Sequence, residues 1–279
     1  MSALTPTTAL LAEPARRPTW WRELNAVVAV TARDVTLALR TPGMIALSLL
    51  MPIVMMGLIG GNLMENMAGG LPFDFGQFML VGMIVNMLVM TTTMSMTSLI
   101  DDSDSDFSSE MLVAPVSRYA IVVGKILGSS FTALITAVGV IAVGLVMGLT
   151  LSLHAALGLL ALAPLMCLSG GALAVIVMGS IKSKKAANLV VMLITMPQMF
   201  LSGVIIPIGS STGVLFVLSR ILPMTYCVDL ARAVVTAGTP EYDSVVLFNP
   251  AISLLAIAGL TVVCLVIGTW LYARSERER

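Results

Sequence analysis

Asp101, Asp102, Asp104 and Asp106 form the densest group of ligating side chains in the chain, and carboxylates so close together invite a calcium reading. A calcium loop opened by Asp102 needs glycine at its sixth position and glutamate at its twelfth. The sequence has Phe107 and Val113 there, so the run reads better as a solvated acidic face. Gly124-Lys125 resembles the end of a phosphate-binding loop. That loop needs another glycine five residues before Gly124 and a hydroxyl after the lysine to hold magnesium. Tyr119 and Ile126 occupy those positions, and any ATP-driven role therefore requires a partner. His154, the only histidine, has no Cys, Asp or Glu within several residues, which suits a polar residue at an interface better than a metal ligand or a general base. Cys167, Cys227 and Cys264 are scattered, with no close pair for a disulfide framework or a zinc site.

The remaining polar groups lie inside long apolar stretches, and they are neutral. Proton-driven transporters and ion pumps mark their paths with Asp, Glu or Arg inside the membrane. Here the interior carries Asn86, Thr91, Thr92, Thr93, Ser95, Ser169, Asn188, Thr195 and Gln198 instead. Asn86, Met90, Thr93 and Gln198 are the candidates to line a substrate cavity. Met83, Met87, Met90, Met94 and Met96 crowd the same stretch. Their flexible, polarizable thioethers suit a surface that accepts varied apolar partners, and they serve ordinary helix packing equally.

The elements that must position these residues follow from composition. Of 279 residues, 58% are hydrophobic and 11% charged. A soluble domain carries roughly 25% charged residues, and a water-soluble fold with this little polarity would expose one continuous apolar patch. Disorder is excluded by the same excess of apolar residues. The 15 basic and 15 acidic residues cancel, and nothing suggests a nucleic-acid surface. The expected fold is an all-α integral membrane protein. A spanning helix needs roughly 20 apolar residues. That length predicts six spans: Gly43–Gly61, Gly76–Ile100, Ile126–Leu149, Ala155–Ile181, Ala186–Ile206 and Pro250–Tyr272.

Residues 1–19 read as a flexible cytoplasmic tail, residues 43–272 as the six-span unit and residues 273–279 as a second cytoplasmic tail. Residues 20–41 read as a two-sided helix, with Arg22, Asn25, Arg33, Thr36 and Arg40 on one side and Trp21, Leu24, Val28, Val35 and Leu39 on the other. Such a helix lies in the membrane interface or packs on a partner. Alternating six spans from a cytoplasmic amino terminus places every Lys and Arg inside except Arg220 and Arg232, and so both termini are expected in the cytoplasm. Residues 207–249 contain two apolar stretches too short to cross, Val214–Leu222 and Met224–Ala237, punctuated by Pro207 and Pro223. They are expected to dip into the outer leaflet as a pair of short helices. Gly57-Gly61 and Gly144-Gly148 match the small-xxx-small spacing of close helix contacts, which is weak support for oligomerisation.

Three motifs in this order resemble the membrane subunits of type-2 ATP-binding-cassette exporters, in particular their drug-resistance (daunorubicin-resistance-like) branch. They are Ser109-Glu110-Met111-Leu112-Val113-Ala114-Pro115-Val116-Ser117-Arg118 followed by Gly124-Lys125, then Phe200-Leu201-Ser202-Gly203-Val204-Ile205-Ile206-Pro207, then Leu222-Pro223-Met224-Thr225-Tyr226 with Asp229 and Arg232. Phe107-Ser108-Ser109 departs from the Gly-Thr-Leu group common in that family. The resemblance implies that residues 101–120 form a coupling segment whose Glu110, Pro115 and Arg118 dock on an ATPase. It implies two nucleotide-binding subunits carrying ATP and Mg, and a second permease subunit as homodimer or heterodimer, with the first and fifth spans along the interface. It also implies that substrate, a hydrophobic or amphipathic drug or lipid, leaves beneath a cap made by Pro207, Pro223, Tyr226, Asp229 and Arg232. This chain would then be a transport subunit without catalytic residues, metal or cofactor of its own. A membrane scaffold or sensor is the rival reading, and a secondary transporter comes third.

Overall fold

The computed structural model describes residues 19–60, 72–104, 118–181, 183–209 and 213–277. Every regular element among them is helical. In chain order these are α1 (Thr19–Arg40), α2 (Pro42–Val54) running on into a π-helical segment (Met55–Gly60), α3 (Phe75–Asp104), α4 (Arg118–Val146), α5 (Leu153–Ser180), α6 (Lys184–Leu201), α7 (Gly213–Ile221), α8 (Pro223–Val235), α9 (Tyr242–Val245) and α10 (Pro250–Arg277).

Local chemistry explains where several of them start and stop. Asp74 accepts from Gly76 N at 2.8 Å and from Gln77 N at 3.2 Å, capping α3. Ser152 Oγ accepts from Ala155 N and caps α5 in the same way. Pro42, Pro223 and Pro250 stand at the first helical position, where a missing N–H costs nothing. The expected fifth span, Ala186–Ile206, ends as a helix at Leu201, because Gly203 turns the chain with a φ of 77°. The expected third span, Ile126–Leu149, starts two turns earlier at Arg118, since nothing between Arg118 and Lys125 breaks the helix.

Segments Phe75–Met96, Ala120–Val146, Leu153–Ser180 and Tyr242–Gly268 are each long and apolar enough to cross a membrane. The 30 residues of α3 extend about 45 Å, beyond the roughly 30 Å of a hydrocarbon core. α2 with its π-helical segment is shorter, and so is α6. Pro52 inside α2 withdraws one backbone donor just before the helix widens. Two pairs are sharply bent: Trp20–Arg40 against Pro42–Leu58 by 76°, and Gly213–Ile221 against Pro223–Val235 by 81°.

α3 is the centre of the bundle, with α4, α5, α6 and α8 around it. Its Phe78, Met79, Leu80, Met83, Ile84 and Leu88 form the main core with Leu159, Met166 and Ile257. α10 lies along α5, and α1 lies along α4. Large apolar side chains of α2, α6, α7 and α10 point outwards, Leu47, Leu193, Val214 and Leu255 among them. In water such surfaces would drive aggregation, and in a bilayer they are the wetted face.

Candidate functional site

Three polar assemblies interrupt this apolar bundle. The first fastens α8 to its neighbours. α8 is buried almost all round, and its Asp229 and Arg232 are only 2% and 3% exposed. Asp229 accepts from Leu247 N at 2.6 Å, from Phe248 N at 3.3 Å and from Ser253 Oγ at 2.8 Å, which ties α8 to the start of α10. Arg232 donates to Gly203 O at 2.6 Å and sits 3.4 Å from the centre of the Phe78 ring, tying α8 to the end of α6 and the start of α3. Tyr226 donates to Arg220 O at 2.8 Å and packs on Phe248, over which the Arg220 guanidinium lies at 4.0 Å. Pro223 is buried as the first residue of α8, and Pro207 is half-buried just beyond the turn at Gly203. Four of the five candidates thus belong to one fastening, in which Tyr226, Asp229 and Arg232 each bond to a neighbouring segment.

The second assembly lies where α3 meets α6. Gly82 allows the Val204 carbonyl to sit against α3, in a space a Cβ would fill. Asn86 on α3 is 2% exposed and Gln198 on α6 is 1% exposed. Among the described residues, neither amide atom of Gln198 has a hydrogen-bond partner. A buried amide left unpaired costs roughly 1–3 kcal/mol, which makes Gln198 one of the costlier polar groups in this part of the bundle. Met90 is half-buried. Thr93 is placed differently: its hydroxyl donates to Val89 O at 2.7 Å and lies 3.1 Å from Gly170 O, so it serves the α3–α5 contact. A depression of about 610 Å³ opens elsewhere, lined by Gln77, Leu145, Thr150, Ser152, Val235 and Thr239.

The third assembly joins α1 to α4. α1 has three faces where the sequence pattern suggests two. Trp20, Trp21, Leu24, Val28 and Leu39 are exposed as an apolar side, and Asn25, Arg33, Thr36 and Arg40 as a polar side. Val30, Asp34 and Ala38 face α4 and are buried. Lys125 Nζ lies 3.1 Å from Asp34 Oδ1 and 3.1 Å from Oδ2, and both side chains are less than a tenth exposed. Sequence reasoning passed over this pair. Lys125 reads in the sequence as a would-be phosphate ligand, a cytoplasmic basic residue and part of the Gly124-Lys125 motif, and the usable signal for the pair is Gly124-x-x-x-Gly128, a small-xxx-small spacing in the same turn. Of the glycine pairs that did draw notice, Gly144 packs against Leu80 within the chain and Gly148 ends α4 with a φ of 84°.

Of the coupling candidates, Arg118 is the first residue of α4, while Glu110 and Pro115 lie outside the described residues.

Long apolar helices packed about a buried centre, with large apolar side chains turned outwards, define a polytopic membrane protein. The family model of the ABC-2 type transporter matches residues 25–236, from α1 through α8, and the chain belongs to that family. It is a membrane permease subunit of the ATP-binding-cassette type, and the family implies partnership with an ATP-binding subunit. No curated protein matches the chain.

Proposed function

We propose that this chain is the six-span permease of an exporter that moves hydrophobic or amphipathic molecules, drugs or lipids, out of the cytoplasm or inner leaflet. Hydrolysis of ATP with Mg on a separate subunit drives it. The observation that carries this reading is the family match, which runs unbroken from α1 to the outer helices. Counting α2 with its π-helical segment and α6 as crossing elements beside the four longer helices gives six, and the division of basic residues supports a reading with both termini in the cytoplasm. Two permease subunits and two ATPases make the complex, and the exposed apolar sides of α2 and α6 are the surfaces available for the second permease. Gln198 and Asn86 offer single hydrogen bonds and no charge, which suits an amphipathic substrate of the drug-resistance branch.

Residues 101–120 are the contact with the ATPase, where Glu110 makes a charge-assisted hydrogen bond. Affinity purification in mild detergent tests the class: an ATPase recovered in equal ratio supports the exporter, and recovery of the permease alone favours a scaffold or sensor. Glu110→Lys tests the contact. At equal membrane abundance it should lose transport and substrate-stimulated hydrolysis, a defect of roughly 1.5–3 kcal/mol in coupling, about tenfold or more. Asp102→Lys, nearer the end of α3, should change them less. Parent-like rates in Glu110→Lys would remove that residue from the interface.

A further inference from the structure

Apolar contacts alone would let α1 slide or roll on α4, because aliphatic side chains repack with small penalties. Two features remove that freedom. Gly124 and Gly128 stand one turn apart on α4, and a Cβ at either would strike α1, 2.9 Å from Val27 O at Gly124 and 2.6 Å from Asp34 Cβ at Gly128. At these points α4 therefore places no side chain of its own between the helices, and Thr31 Oγ1 donates to Gly124 O at 3.1 Å across the seam. Between the two glycines Lys125 reaches both carboxylate oxygens of Asp34. A buried ion pair gives weak net stability, since desolvation offsets most of the attraction, but a slide in register would strand two buried charges. Its effect is to select one register.

The position of this seam gives it a use. α4 begins directly after residues 101–117, so its first turns receive any force applied there. α1 ends at Arg40, and α2 leaves it at 76° after a single residue. We propose that Asp34 and Lys125 are positioning residues for energy coupling: their buried pair locks α1 to α4, so that displacement of the cytoplasmic end of α4 reaches α2 through α1 as one rigid body. This rests on the ATP-driven reading above.

The test uses the complex with its ATPase in lipid nanodiscs, with the native cysteines replaced by alanine. Spin labels go at the exposed positions Ala29 and Val123, which straddle the seam, and at Ala29 and Ser180, which report α1 against α5. In the parent the Ala29–Val123 distance should be a single narrow population, unchanged by vanadate-trapped ADP, while Ala29–Ser180 shifts. Asp34→Asn/Lys125→Met removes both charges of the pair and keeps the side-chain volumes. It should broaden Ala29–Val123 and lose the Ala29–Ser180 shift while ATP hydrolysis continues. The reversed pair, Asp34→Lys/Lys125→Asp, should restore the narrow population. A neutral double variant that keeps both the narrow population and the shift overturns the proposal. If no ATPase accompanies the parent, the ATP-driven reading falls and the coupling role with it. The nucleotide-free Ala29–Val123 width still decides the lock: a narrow population in the double variant refutes it.

Discussion

Asp229 answers three donors at once, two backbone N–H groups and the Ser253 hydroxyl, from a site that is almost sealed. Hydrogen bonds to a charged group contribute about 1.5–3 kcal/mol each, and a carboxamide in its place would turn an NH₂ towards donors that need an acceptor. Asp229→Asn should therefore lower the thermal unfolding midpoint of the purified permease measurably, by a loss of about 2–3 kcal/mol. Ser253→Ala, which removes one donor of the three, should cost about 1 kcal/mol. Equal midpoints for the two variants would contradict this account. The sequence marks Asp229 and Arg232 as charges too costly for the bilayer centre, and that much was legible. Their partners were not, because Gly203, Leu247 and Ser253 lie 18 to 29 residues away and only the packed bundle brings them near. Asp34 escaped notice for a simpler reason. A two-sided helical pattern has no place for a third, protein-facing side.

Close approach at glycine decides which helices can be neighbours. A Cβ at Gly82 would overlap the Val204 carbonyl, a backbone group that cannot swing aside, whereas Gly57 has nothing within 4 Å. Gly82→Ala should destabilise the permease by about 1–3 kcal/mol or prevent its accumulation, and Gly57→Ala should stay within about 0.5 kcal/mol of the parent. Monodisperse yield on size exclusion and the unfolding midpoint report both, and a parent-like Gly82→Ala would mean that the turn after α6 does not press on α3 as described. The sequence locates the long helices well, because runs of 28 to 30 helical residues leave little freedom. It places the short ones less well. Nothing in the apolar run from Ala186 to Ile206 says that the helix ends at Leu201, since the turn is set by the φ of Gly203 and by the Arg232 bond to its carbonyl.

The division of basic residues makes a prediction about the whole chain. Ser183 and Thr239 are both exposed, on either side of α6 and the bent outer pair. Cysteines there should react with an impermeant thiol reagent from opposite faces of the membrane, Ser183→Cys from the cytoplasm and Thr239→Cys from outside. Labelling of both from one face would reduce α6 to a helix that enters without crossing. The apolar content and the order of motifs carry most of this architecture from the sequence alone. The assembly between α1 and α4 depends on a meeting of residues 91 positions apart and could not be read in advance. The outer fastening also orders events in time. Asp229 leaves the ribosome before Leu247, Phe248 and Ser253, and chains grow at about 5–20 residues per second. For a second or more the carboxylate has none of its donors, and α8 cannot bury it at that stage without the full penalty of an unpaired charge. Asp229 is therefore expected to stay unburied until the start of α10 has been made. Burial of α8 is thus a late event, timed by the order of the chain to the appearance of the first residues of α10.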